Sequence, residues 1–152
     1  MLELATPADL AAVNRLARQV HGLHVSWRPD IFRMPEGEIY SEERFLEAVR
    51  ARQVYVAKLG GTVVGYALIK FKERDNANLV PRKSLLLEEL CVDEAFRGHG
   101  LGTDLMEDIY ALAKAFGCDD MQLSVYPQND EAVGFYQKCG FTIRSIDMQR
   151  KV

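Results

Sequence analysis

Between Leu85 and Leu112 the chain changes its hydrophobic period. Leu85, Leu86, Leu87, Leu90 and Val92 form an apolar run of strand character, whereas Leu101, Leu105, Ile109, Leu112 and Phe116 recur at helical spacing. The join is Arg97-Gly98-His99-Gly100-Leu101-Gly102, so the order is strand, glycine-rich turn, helix. Such a turn presents unpaired backbone N–H groups at a helix N-terminus, where the helix dipole favours an anion such as phosphate or pyrophosphate. Dinucleotide folds use Gly-x-Gly-x-x-Gly, typically in their first strand-helix unit; here the glycines alternate and the turn comes late. A Walker-type loop needs lysine before serine or threonine, and Gly102-Thr103 supplies none.

The flanking sequence predicts the rest of the architecture. Leu2 to Ala5 reads as a short edge strand. Thr6-Pro7-Ala8-Asp9 starts a helix with a threonine cap, proline in the first turn and an acid three residues on. Leu10, Val13, Leu16, Ala17 and Val20 give that helix an apolar stripe as far as His21. From Gly22 to Tyr40 the pattern is irregular, aromatic and proline-containing, which marks a lid or substrate-facing segment. Ser41-Glu42-Glu43 caps a second helix bearing Phe45, Leu46 and Val49. Gln53–Leu59 and Thr62–Phe71 are strands joined tightly at Gly60-Gly61, followed by a loop or frayed extension over Lys72–Lys83. Met121–Tyr126 reads as a strand, and Asn129 and Asp130 cap a last helix that ends near Gly140. Phe141–Ile146 and Asp147–Val152 are expected to form two closing strands. This order predicts one domain over residues 1–152 with an α/β (α+β) fold. Its sheet is mixed and largely antiparallel, with helices on both faces and parallel strands around the glycine turn.

Composition excludes several classes. The net charge is −3 and there is no basic run, so a nucleic-acid surface is not expected. No apolar stretch approaches the roughly 20 residues that span a bilayer, so no membrane partner is expected. The three cysteines, Cys91, Cys118 and Cys139, are widely spaced, with no pair at metal-ligand spacing. No metal is expected, and a reducing cytoplasm fits best.

Arg97-Gly98-His99-Gly100-Leu101-Gly102, preceded by Leu90-Cys91-Val92-Asp93, resembles the central motif of the GNAT superfamily of acyl-CoA-dependent N-acyltransferases. A second stretch, Asn129, Ala132, Phe135-Tyr136 and Gly140-Phe141, is similar to that family's last helix and following strand. Glu94 departs from the pattern, since many relatives carry proline there; this touches turn rigidity and leaves the chemistry unaffected. The resemblance covers essentially the whole chain. It implies an N-acetyltransferase that moves an acetyl group from acetyl-CoA to a primary amine of a small molecule or peptide by direct attack. The alternative is a noncatalytic acyl-CoA-binding regulatory module. The amides of Gly98, His99, Gly100, Leu101 and Gly102 would hold the pyrophosphate with Arg97 adding charge. The backbone of Cys91 and Val92 would pair with pantetheine, and Asn129 would cap the last helix and touch it. The closing strands are a common dimer edge in the family, which makes a homodimer the expected assembly.

The reaction itself constrains the remaining residues. An alkylamine with pKa near ~10 must lose a proton before attack, and the thiolate leaving group, near ~8.5, needs a proton or a hydrogen bond. Tyr136 stands where many relatives carry the general acid. Glu88 and Glu89 precede the turn; neighbouring strand residues face opposite ways, so one of them is expected to face the cleft, with Glu88 preferred unless a bulge near Cys91 changes the phase. His21 and His24 are further groups able to help deprotonate an amine. Cys91 reads as a small buried hydrophobe, because no activating base is evident.

Overall fold

The computed structural model describes residues 2–152. Strands β1 (Leu2–Leu4), β2 (Val54–Leu59), β3 (Thr62–Asn76), β4 (Leu79–Val92) and β5 (Asp120–Gln122) lie side by side in chain order. All neighbouring pairs are antiparallel except β4 and β5, which run parallel from Ser84↔Asp120 to Leu86↔Gln122. The mixed, largely antiparallel α/β sheet read from the sequence is therefore present.

Alternation along the strands explains the layers. Val54, Val56, Tyr66, Leu68 and Cys91 point to one face, against α1 (Leu10–Trp27) and α2 (Glu42–Arg50). Tyr55, Ala67, Ile69, Leu85 and Leu87 point to the other, against α3 (Leu101–Ala115) and α4 (Asp130–Lys138). Leu16, Val56, Val64, Leu85, Leu105 and Ile109 are wholly buried, each worth about 1.5–3 kcal/mol of transfer free energy. The Gly60-Gly61 hairpin is as expected: Leu59 pairs with Thr62, and both glycines have positive φ.

Three local expectations are corrected and a fourth is narrowed. Helix α1 runs on past His21 to Trp27, because Gly22 is tolerated inside it and Arg28 N–H still reaches the His24 carbonyl; the irregular connection is correspondingly shorter. Of the two readings for Lys72 to Lys83, the extension of the hairpin holds and the loop does not: the stretch is mostly paired strand, with the β3–β4 hairpin extending to Asn76↔Leu79. Pro81, which has no N–H to donate, falls at the irregularity between Arg74 and Asn76. Strand β5 stops at Gln122, because past Leu86 it no longer follows β4. Phe141–Val152 contains no strand. Ile143, Ile146 and Met148 are 73%, 76% and 93% exposed, and their spacing of three then two cannot place them on one face of a ladder. The expected dimer edge thus has no strand here to carry it.

Candidate active site

The site is built where β4 outlasts its neighbour. Its β5-facing edge is paired only as far as Leu86, so the backbone from Leu87 to Val92 is left without a strand on that side. Asp93 then ends the strand. Its carboxylate caps Ala95 N–H at 3.2 Å and is gripped by Arg15 at 2.5 Å and Gln19 at 3.2 Å, fastening the strand end to α1. After one 3-10 turn, Gly98 and Gly100 take φ of 80° and 82°, a left-handed backbone that only glycine adopts without strain. Gly100 is the N-cap of α3 and has no side chain to satisfy the helix's first N–H groups. Those donors therefore point out of the turn. The Arg97 guanidinium folds back, its Nε donating to the Val92 carbonyl at 2.9 Å. His99 is exposed and lines, with Leu59, Phe96 and Asp104, a cavity of about 340 Å³ beside the turn.

Helix α4 closes the other side of the opening. The Asn129 side chain accepts from Ala132 N–H at 3.1 Å, the cap the sequence predicts. Asn129→Ala is expected to cost about 1 kcal/mol of stability, read as a lowered denaturation midpoint with unchanged slope. Phe135 packs so close to Gly102 that a Cβ there would lie 3.4 Å from its ring. Tyr136 packs edge-on to Phe141, and burial pushes its phenol up to about 12.

The two glutamates depart from simple alternation. Leu68 pairs with Glu89 but Ile69 pairs with Leu87, so Glu88 is the extra residue of a bulge. Leu85 and Leu87 face α3 while Cys91 faces α1, and the phase change between them turns both carboxylates toward the α1–α2 side. This corrects the expectation that one alone would face inward. Glu88 is exposed and ion-paired to Lys70 at 2.9 Å, at the rim of a cavity of about 240 Å³ under α2. Glu89 lies deeper: its Oε2 accepts from both the Tyr40 and the Tyr66 hydroxyls, each at 2.5 Å. Burial, reinforced by the Glu89 charge, holds both phenols far above their ordinary pKa, so they remain donors. Tyr136 belongs to the α3 face, opposite the side to which the two glutamates turn. Cys91 lies buried with its Sγ 3.5 Å from the Leu16 carbonyl, and burial pushes its thiol up to about 11, too high for a thiolate nucleophile.

Tyr40 and Tyr66 escape a reading of the sequence, since their convergence on Glu89 depends on the bulge and on a contact from beyond α1. So does a group of rings at the mouth of the gap between β4 and the chain beyond β5. His24 and Trp27 from α1, Phe32 from the following connection and Tyr126 from beyond β5 lie within 5.9 Å of one another in successive pairs.

The glycine turn at the N-terminus of α3 thus lies at the end of the strand whose edge is open, an arrangement with room for an extended chain along β4 and exposed backbone donors at its end. The particular family follows from comparison: residues 19–141 match the Acetyltransferase (GNAT) family, and the chain belongs to it. It is 34% identical over 83 residues to Spermine/spermidine N(1)-acetyltransferase of Bacillus subtilis (strain 168), a match covering 53% of this chain and 53% of that protein. The chain thus spans about half the length of that curated relative. A mutant of the BH1408 protein from Bacillus halodurans superimposes with a TM-score of 0.95 at 33% identity, over 100% of this chain and 99% of the other. The aminoglycoside N-acetyltransferase AAC(6')-Iy in complex with CoA shares the fold, with a TM-score of 0.73 at 17% identity over 99% and 93% of the two chains. Among the described residues no helix is long and apolar enough to cross a membrane.

Proposed function

We propose that this protein transfers an acetyl group from acetyl-CoA to a primary amine of a small molecule or peptide, by direct attack, in a reducing cytoplasm. One observation carries the reading: the unpaired β4 edge leads, through a single 3-10 turn, to the glycine turn. A pantetheine arm can pair along Leu87–Val92 like the absent strand, which brings its pyrophosphate to the free N–H groups from Gly98 to Gly102. Arg97 adds positive charge at the strand end. The thioester then lies by Cys91 and Val92, where a backbone N–H can polarise its carbonyl. The three free thiols suit a reducing compartment. Family membership and the fold shared with the CoA-bound aminoglycoside enzyme support the donor. The spermine/spermidine relative supports a cationic amine as acceptor.

In this mechanism Glu89, fixed by its two tyrosines, draws the ammonium group of the acceptor into the gap. The neutral amine attacks the thioester carbon, the C–N bond forms, and the C–S bond breaks to release the CoA thiolate. Tyr136 is the residue assigned to the leaving group. Full transfer from a phenol at about 12 to a thiolate near ~8.5 is uphill by about 5 kcal/mol, so Tyr136 acts by donating a hydrogen bond. Tyr136→Phe is expected to lower kcat about 10-fold and leave the acetyl-CoA Kd within twofold. Unchanged turnover would remove Tyr136 from the reaction.

Thiol release from acetyl-CoA across a panel of amines, with mass-spectrometric identification of the product, tests the function. Acetylation of at least one cationic amine is the expected result. Tight acetyl-CoA binding with no release across the whole panel would instead establish a noncatalytic acyl-CoA-binding module.

A further inference from the structure

The acceptor's proton has a destination other than a glutamate. Glu89 Oε2 already accepts from two hydroxyls, leaving only Oε1 for the ammonium group, and Glu88 is committed to Lys70. His24 stands on the same side of the gap. It is half-buried, stacked on Phe32 with ring centroids 5.3 Å apart, and touches Tyr126 across the opening at 5.9 Å and Trp27 at 5.9 Å. Its helix, α1, is seated on β4 through the Leu16 carbonyl, 3.5 Å from Cys91 Sγ, so the C-terminal end of that helix, with His24, bridges from the open strand to the chain beyond β5.

We propose that His24 is the proton acceptor for the substrate amine, with Glu89 holding the ammonium group and stabilising the imidazolium that forms. The inference rests on the acetyltransferase reading. The ammonium N–H gives its proton to an imidazole nitrogen, and the freed lone pair attacks the thioester carbon. The C–S bond then breaks, and the second proton lost from nitrogen is taken up by the CoA thiolate. One proton leaves His24 to solvent in each cycle.

The surroundings suit this role. His24 is held below its ordinary pKa, first by burial among the rings and then by repulsion from His21; Glu89 opposes both. It is therefore neutral, and able to accept, at neutral pH. The groups facing it are His21 on its own helix, which bonds the Arg33 carbonyl at 2.7 Å, Glu89 from β4, and the Tyr126 phenol. The nearby Arg28 guanidinium is taken up by Asp30 at 2.8 Å. The sign follows: neutral His24 is required, so kcat/KM falls as pH drops through its lowered pKa.

NMR titration of the His24 ring and pH–rate profiles test the assignment. In Glu89→Gln the His24 pKa is expected to move down and the acid limb of kcat/KM to move down with it, because the stabilising charge is gone. His24→Gln is expected to lose that limb and about 100-fold in kcat. The same variant should keep its acetyl-CoA affinity and melting profile, with added imidazole restoring part of the rate to His24→Ala. A His24→Gln enzyme that retains the limb and the rate would overturn the proposal, as would a His24 pKa indifferent to Glu89→Gln. If the wild type acetylates no amine at all, the function reading falls and this proposal with it. If the wild type is active and only the His24 variants behave as wild type, this proposal alone falls.

Discussion

Gly100→Glu is expected to reduce acetyl-CoA affinity at least 100-fold, measured by calorimetry on folded protein. The expectation has two sources. Gly100 has φ of 82°, so any L-residue there is strained by about 1–2 kcal/mol, although a Cβ would meet nothing within 4 Å. The open space also means that the new carboxylate stands at the mouth of the α3 N-terminus, where it takes the place of, and repels, the pyrophosphate. Gly100→Ala separates the two sources, since it carries the strain without the charge and should lose about 10-fold. Affinity within threefold of wild type in the glutamate variant would refute the pyrophosphate cradle.

The second large effect lies under the same helix. Gly65→Val is expected to destabilise the fold by about 3 kcal/mol, lowering Tm by roughly 6–12 °C. A Cβ at Gly65 would sit 2.9 Å from the Cys91 carbonyl oxygen and 3.1 Å from Leu105 Cδ1. The first neighbour is backbone and cannot turn aside, and the second is a fully buried core leucine. The added bulk pries α3 from β4, so the variant should also bind acetyl-CoA more weakly than its loss of folded fraction explains. A Tm within 2 °C of wild type would show that this packing is looser than it looks.

The sequence discloses those features whose cause is local. The glycine turn, the Asn129 cap and the Gly60-Gly61 hairpin each follow from a residue's own conformational or hydrogen-bonding preference, and each is where the sequence puts it. The continuous apolar run Val54 to Ala57 likewise suits a strand buried on both faces, which is what β2 is. Features set by partners far along the chain are different. Glu88 and Glu89 alternate on paper, but the bulge opposite Leu68 and Ile69 turns both to the α1–α2 side, Glu88 at the exposed rim and Glu89 deeper, and nothing in the local residues forces it. The convergence of Tyr40 and Tyr66 on one oxygen joins three separate elements. At the C-terminus, Phe141–Val152 has residues of strand character, yet a strand exists only if another accepts its hydrogen bonds.

The open edge of β4 has a thermodynamic consequence. In the proposed function the donor is the sheet's missing member, so its binding free energy is also folding free energy for the segment it completes. Ligand that binds the native state alone stabilises it by RT ln(1 + [L]/Kd), about 2.7 kcal/mol at a hundredfold excess over Kd. The chain's resistance to unfolding would then track the supply of acetyl-CoA, so that the metabolite consumed by the reaction also sets how long the catalyst survives.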